Sequence, residues 1–177
     1  MEMFIALASP SVSTVVRDAV PDHMRPEGKA KGHVKIGSVT LNTYNYEDDE
    51  KWHFRDSERE YLVVLRMYRM DGRTFYSQNN VWQHNMKGFA RQVMDYLSSG
   101  TNVLISSDTQ RRRGVKMWKT FLRTTNKHVY LYNKRTATEA TEANLNFLIE
   151  SAWQGNASNK LWVVAEKPVH VEELKWH

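Results

Sequence analysis

The residues best suited to chemistry surround a glycine turn in the middle of the chain. Asn85, Lys87, Gly88, Phe89 and Ala90 join an extended segment to a helical one. The free backbone N–H groups at the start of a helix bind anions, and a glycine lets a ligand approach the backbone closely. Because Ala90 is too small to obstruct such a ligand, this pattern predicts a pyrophosphate-binding site.

The elements that would position this turn are predicted on both sides of it. Ser77 to Gln83 is an extended segment, and we expect Val81 and Trp82 near its end to contact the same ligand. After the turn, apolar residues recur at helical spacing until Ser98–Gly100 and comprise Phe89, Ala90, Val93 and Leu97. Val103 to Ile105 then predicts a buried strand. Strands joined by a helix lie parallel, and ligands collect at their carboxyl ends.

A second polar cluster, Ser106, Ser107 and Asp108, ends that buried strand. These side chains could bond a cofactor arm or a substrate amine. Asp108 or Thr109 is also a natural N-cap for the helix predicted from Gln110. We therefore expect helix capping here, with or without a role in binding.

Three consecutive arginines, Arg111, Arg112 and Arg113, lie at the start of this second helix. The helix dipole disfavours cations at that end, so the run suggests a use in binding phosphate groups of a cofactor or a nucleic acid. A solvated helix face is the simpler interpretation. Val115, Trp118 and Leu122 form the apolar face of this helix, and His128 to Tyr132 predicts the next strand.

The central stretch resembles the GNAT N-acetyltransferases. Their phosphate loop has the form Arg/Gln-x-x-Gly-x-Gly/Ala, and residues 85–90 fit it with Asn85 in the first position. Ser107-Asp108 and Met117-Trp118 match a GNAT-like branch of phage and bacterial proteins. Arg111 to Lys116 also has the Arg-x-x-Gly spacing, but Lys116 stands where the family has Gly or Ala.

This resemblance implies acetyl-CoA as the cofactor and an amine as the acceptor. Removal of a proton from the amine needs a general base, and Glu60, Glu58 and His84 are candidates near the predicted site. Many members of the family carry a tyrosine acid close to the position of Trp118. Tyr132, or its neighbour Tyr130, is the candidate replacement.

The whole chain, 1–177, is predicted to be one α/β (α+β) domain with a GNAT-like mixed sheet. Antiparallel N-terminal strands would precede parallel strands with crossover helices. The antiparallel part comprises Val34 to Tyr46, Tyr61 to Met70 and a hairpin at Asp71-Gly72. A short helix is predicted after Ser11, with Val12, Val15, Val16 and Ala19 as its apolar residues. A capping box from Thr136 to Glu139 predicts another helix to about Trp153, followed by a strand from Leu161 to Ala165.

Composition favours a cytoplasmic protein with an anionic partner. The 177 residues carry a net charge of +5, and the chain has no cysteine. The apolar start is too short to span a membrane, and the histidines show no metal-ligand spacing. The first hypothesis is that the chain is a phage-encoded enzyme that uses acyl-CoA. The alternative is an inactive GNAT-like or basic α/β module that binds nucleic acid or a host protein through its arginines.

Overall fold

The computed structural model describes residues 3–5, 13–106, 109–110, 112–133, 136–153, 160–170 and 174–176. Within these ranges there are three α-helices, thirteen strands and a 3₁₀ turn at Asp22–Met24. The strands are β1 (Met3–Ile5), β2 (Ser13–Arg17), β3 (Gly32–Ile36), β4 (Val39–Tyr46), β5 (Asp49–Arg55), β6 (Glu60–Met70), β7 (Arg73–His84), β8 (Asn102–Ile105), β9 (Thr109–Gln110), β10 (His128–Asn133), β11 (Thr136–Glu139), β12 (Lys160–Ala165) and β13 (Leu174–Trp176). The helices are α1 (Phe89–Leu97), α2 (Arg112–Thr124) and α3 (Leu145–Ala152).

Eleven of the described strands form one mixed sheet. Nine follow the order β11-β10-β12-β8-β7-β6-β5-β4-β3, while β2 pairs with β7 and β9. Neighbouring strands from β3 to β7 are antiparallel, β7 and β8 are parallel, and β12 is antiparallel to both β8 and β10. A separate sheet consists of β1 and β13, which are parallel. The fold is therefore mixed α+β, with a sheet that is mostly antiparallel.

The core occupies both faces of the main sheet. One face packs against the three helices, and its fully buried side chains include Leu41, Tyr61, Val63, Leu65, Val81, Val93, Leu97 and Leu104. On the opposite face, Val20 from the segment after β2 packs against Leu62, Val64 and Trp82. Successive strand residues point to opposite faces, which explains why the tyrosines of β10 lie apart from Val129 and Leu131.

Several local predictions are confirmed. The predicted apolar face of α1, from Phe89 to Leu97, is buried. The strand predicted at Val103 to Ile105 is buried and lies parallel to β7. Asp71 and Gly72 form the turn between β6 and β7 with φ of 53° and 73°, as a two-residue hairpin turn of type I′ requires.

Two helix predictions are wrong because long-range strand pairing outweighs the local pattern. Ser13–Arg17, predicted as part of a helix after Ser11, is strand β2, and its Val15, Val16 and Arg17 pair with Asn80–Trp82 of β7. Thr136–Glu139, predicted as a capping box, is strand β11 and pairs with β10. The helix that follows begins only at Leu145.

The predicted strand arrangement also needs correction. Val34 to Tyr46 is not one strand but two, β3 and β4, because the chain turns back at Gly37 with φ of 61°. Asp49–Arg55 adds a further strand, β5, which is absent from the predicted set of antiparallel strands. Beyond β8 the parallel arrangement stops, because β12 inserts between β8 and β10 and runs antiparallel to both.

No helix in the described part of the chain is long and apolar enough to cross a membrane.

Candidate anion-binding site

The turn between β7 and α1 contains two residues in the left-handed backbone conformation. Asn85 has φ of 53° and Gly88 has φ of 84°. Between them, the carbonyl of buried Met86 accepts a hydrogen bond of 3.1 Å from the Phe89 N–H. Gly88 is the N-cap, no side chain caps the helix, and a Cβ at Gly88 would meet no atom within 4 Å. There is therefore room for a ligand beside Gly88, at the end of α1 where helix N–H groups lack partners within the helix.

A pocket of about 710 Å³ opens beside this helix start. Its walls are the end of β7, the first turn of α1, one side of α2 and the residue that follows β2. Among the described residues that line it, Asp18 is acidic and four are cationic: Lys87, Arg91, Arg113 and Lys116. The apolar lining comprises Met86, Ala90 and Met117. Four cations against one carboxylate suit an anionic ligand that also has an apolar part.

The side chains of the predicted loop have different roles in this pocket. Asn85, Lys87, Gly88 and Ala90 line it. Asn85 also donates a hydrogen bond of 2.8 Å to the Glu58 carbonyl, which ties the turn to the chain just before β6. Phe89 points into the core, where its ring packs edge-on against a neighbouring aromatic ring, and it anchors the helix.

Val81 and Trp82 are buried, and the backbone on both sides of them is paired. On one side β6 pairs with Asn80–Trp82, and on the other side β2 does. Their side chains point to opposite faces of the sheet, Val81 toward the helices and Trp82 toward Val20. A ligand could therefore reach the β7 edge at these residues only if β2 moved away.

Glu60 is held in a charged cluster. Arg25 donates to both carboxylate oxygens, at 2.9 and 2.7 Å, and His53 Nε2 lies 2.7 Å from Oε2. Burial alone would raise the pKa of Glu60, but the hydrogen bonds from Arg25 and His53 outweigh it and hold the pKa below its usual value. The carboxylate is therefore a weak base with both oxygens engaged, and it fixes the segment that follows β2.

Glu60 and His84 are brought together, on the sheet face opposite α1. They are paired across β6 and β7 and line a common pocket of about 320 Å³. Their face follows from strand alternation, because the next residue, Tyr61, packs its ring against Phe89 of α1. His84 is exposed at the edge of this pocket.

Tyr132 is not part of either pocket. It is 6% exposed, lies in the cluster with Tyr130 and Val163, and is separated from β7 by β8 and β12. Tyr130 is also buried, and its hydroxyl accepts a hydrogen bond of 3.3 Å from the Val169 N–H. Trp118 is a core residue at 1% exposure, packed edge-on against Phe121.

Ser107, Asp108 and Arg111 lie outside the described residues, and so does the side chain of Arg112. The preceding residue, Ser106, is buried, and its hydroxyl accepts a hydrogen bond of 2.8 Å from the Trp162 N–H. This bond joins the end of β8 to β12, so Ser106 has a structural role at the sheet edge.

Sequence reasoning missed three charged residues of the pocket beside α1, here called the anion pocket: Asp18, Arg91 and Lys116. Arg91 could have been found, since it lies in the first turn of the predicted helix. Lys116 could also have been found, since its three-residue spacing from Arg113 puts both on one side of α2. No sequence pattern indicates Asp18, because only the tertiary fold brings its Oδ1 to 2.8 Å from the guanidinium of Arg113.

Within the described residues, no group of three or more His, Cys, Asp or Glu side chains could hold a metal ion. No protein-family model, curated protein or solved structure matches this chain.

Proposed function

We propose that this chain binds acyl-CoA in the anion pocket and transfers the acyl group to an amine, as a GNAT-like N-acyltransferase. The observation that carries the proposal is the pocket itself. Four cationic side chains line it together with Gly88, the N-cap of a helix that no side chain caps, and a Cβ at Gly88 would meet no atom within 4 Å. A diphosphate fits such a site, because backbone N–H groups and cations stabilise its charge together.

The pocket also has the size and the mixed chemistry that acyl-CoA requires. Ligand pockets span roughly 300 to 1,000 Å³, and this one has about 710 Å³. Met86, Ala90 and Met117 provide apolar surface next to the charges, which suits the pantetheine arm or the adenine ring. A free phosphate ion would leave that apolar surface without a partner.

The strand arrangement around the pocket supports the same assignment. Antiparallel strands precede the loop, the loop leads into α1, and α1 leads into a parallel strand, β8. The resemblance implies this order for the loop and the elements on either side of it, whereas β12, which runs antiparallel between β8 and β10, departs from the predicted run of parallel strands. β7 and β8 stop pairing beyond Ser77 and Ile105, where β2 pairs with β7. A thioester arm that displaces β2 and enters this cleft between β7 and β8 from the α1 side would present its carbonyl carbon toward the opposite face.

On that opposite face, His84 is the best placed of the three catalytic candidates. In the transfer, the amine nitrogen attacks the thioester carbon, the carbon–sulfur bond breaks, and the thiolate takes up a proton. Exposed His84, directly or through water, would accept the proton that the amine loses. Glu60 is engaged by Arg25 and His53, and Tyr132 is buried two strands away from β8.

Isothermal titration with acetyl-CoA tests the proposal. We expect the wild type to bind with a dissociation constant of about 1 to 100 μM. Lys87→Gln combined with Lys116→Gln should weaken binding at least about tenfold, since neither side chain can then donate a charge-assisted hydrogen bond to the ligand. Lys29→Gln combined with Lys167→Gln removes the same charge outside the pocket lining. Equal affinities for the two double variants, or no binding at about 1 mM ligand, would contradict the proposal.

The outer face of α2 favours a second candidate, the binding of nucleic acid. Arg113, Lys116 and Arg123 are exposed, Lys119 is half-buried, and their spacing places all four on one side of the helix. Fluorescence anisotropy with a short DNA duplex over a salt series tests this candidate. If Arg113 or Arg123 neutralises one phosphate, changing that arginine to Ala should make the slope of log K against log salt concentration shallower by about 0.9. An unchanged slope would exclude this candidate.

A further inference from the structure

The cleft between β7 and β8 is already filled by another part of the chain. Along one edge, β7 pairs with β8 at Thr74–Ser77 and then with β2 at Asn80–Trp82. The two residues of β2 that precede this pairing, Ser13 and Thr14, pair with Thr109 and Gln110 of β9. Residues 13–17 therefore occupy the place that the acyl arm would take.

The residues that follow β2 fasten this strand to the body of the protein. Asp18 forms an ion pair of 2.8 Å with Arg113, one of the four cations in the anion pocket. Val20 is buried against β6 and β7. Arg25 makes its bidentate contact with Glu60. The carbonyl of Met24 accepts a hydrogen bond of 2.9 Å from the Lys51 ammonium.

We propose that residues 13–25, here called the plug, regulate the acyl-CoA site by competing with the ligand; this inference rests on the function proposed above. The plug and the ligand would compete for two places. Its strand closes the cleft between β7 and β8, and the carboxylate of Asp18 neutralises Arg113 where a phosphate would bind. A ligand that displaces β2 replaces both contacts, so the plug weakens binding without abolishing it.

The pairing of β2 is short and parallel, so a ligand could displace this strand from β7. It pairs with β7 at three residues and with β9 at two, and all these pairs are parallel. Short parallel pairings are less stable than longer antiparallel ones. The contacts of Arg25 and Lys51 lie beyond the strand itself, so β2 could leave the cleft while the later part of the plug stays attached.

A reversible cross-link tests the plug in the full chain. Because the protein has no cysteine, Val15→Cys with Asn80→Cys introduces a single disulfide, between Cα partners of β2 and β7. Adjacent strands fall within the Cα separation that disulfides span, about 4.4 to 6.8 Å. We expect acetyl-CoA to bind the oxidised form at least about tenfold more weakly than the reduced form. Equal affinities would refute the competition.

A control cross-link and a release variant complete the experiment. Asn133→Cys with Thr136→Cys joins exposed Cα partners of β10 and β11 and should leave binding unchanged on oxidation. Val16→Pro removes a backbone donor from β2, so it should speed amide hydrogen exchange at Asn80–Trp82 and tighten acetyl-CoA binding. Unchanged exchange in Val16→Pro would show that β2 does not cover this edge and would refute the plug.

The two proposals fail in different ways. If neither the reduced cysteine pair nor Val16→Pro binds acetyl-CoA, although faster exchange shows that the strand is released, the acyl-CoA site is refuted and the competition with it. If all forms bind acetyl-CoA equally well, the site stands and the plug alone is refuted.

Discussion

Replacing Gly88 with Asp tests the anion pocket where its backbone is most open, and Gly72→Asp is a matched control. Both glycines have positive φ, 84° and 73°, and a Cβ at either would meet no atom within 4 Å. They flank opposite ends of the twelve-residue strand β7, so roughly 35 Å separates them at the usual rise per residue. The same charge and the same backbone strain are thus introduced at two places, one of which is the pocket.

The expected magnitudes separate stability from binding. A non-glycine residue in the left-handed conformation costs about 1 kcal/mol, so both variants should lose about that much stability. A carboxylate about 6 Å from a phosphate charge is repelled by about 0.7 kcal/mol in water and by about 3 kcal/mol at an effective dielectric constant of 20. Since 1.4 kcal/mol is a factor of ten, acetyl-CoA affinity should fall by about 3-fold to about 100-fold in Gly88→Asp.

Isothermal titration at low and moderate salt measures the affinity, and thermal unfolding measures the stability. Gly72→Asp should bind acetyl-CoA like the wild type while showing a similar loss of stability. The affinity deficit of Gly88→Asp should shrink as salt screens the repulsion. If the two variants bind equally well, the ligand does not approach the start of α1, and the reasoning about this pocket is wrong.

Three further predictions concern single side chains. Asp18→Asn should tighten acetyl-CoA binding by about 2-fold to about 5-fold, because an exposed ion pair with Arg113 is worth about 1 kcal/mol or less; unchanged affinity in titration would argue against competition at Arg113. Lys127→Met should lower the free energy of unfolding in urea by about 1.5 to 3 kcal/mol, since the buried ammonium bonds the hydroxyls of Ser98 and Ser99 at the end of α1; an unchanged midpoint would contradict this. Glu60→Gln should lower the free energy of unfolding at pH values above 4.5, the pKa of the unfolded glutamate, and this loss should shrink as the pH falls. The reason is that the folded pKa of Glu60 lies below 4.5, so the ionised form supplies the stability. A loss of stability that grows in acid would contradict this.

Local sequence patterns were sufficient for the parts of the site that depend on neighbouring residues. The turn at Gly88 and the buried face of α1 followed from one glycine and an apolar spacing of three and four. The hairpin at Asp71-Gly72 followed from a two-residue turn signal. Each of these features is stabilised mainly by interactions within a few residues, so the local sequence contains the information.

Local sequence patterns predicted the wrong element where a distant segment pairs with an edge of the sheet. Val12, Val15, Val16 and Ala19 have helical spacing, yet Val15 and Val16 pair with β7, about 65 residues further along the chain. Thr136–Glu139 has the form of a capping box but adds a strand to β10. An open strand edge offers a row of N–H and C=O groups, and pairing with it outweighs a weak local preference for helix.

By itself, the sequence determined a basic, cysteine-free α+β chain with a glycine turn that leads into an amphipathic helix. The tertiary structure alone decided that Arg91, Arg113 and Lys116 share one pocket, that Glu60 is engaged by Arg25, and that β2 fills the cleft beside β7. The physical reason is the range of the interactions. Turns and helix faces depend on residues three or four positions apart, whereas charges in a pocket and strands in a sheet come from segments that only the completed fold brings together.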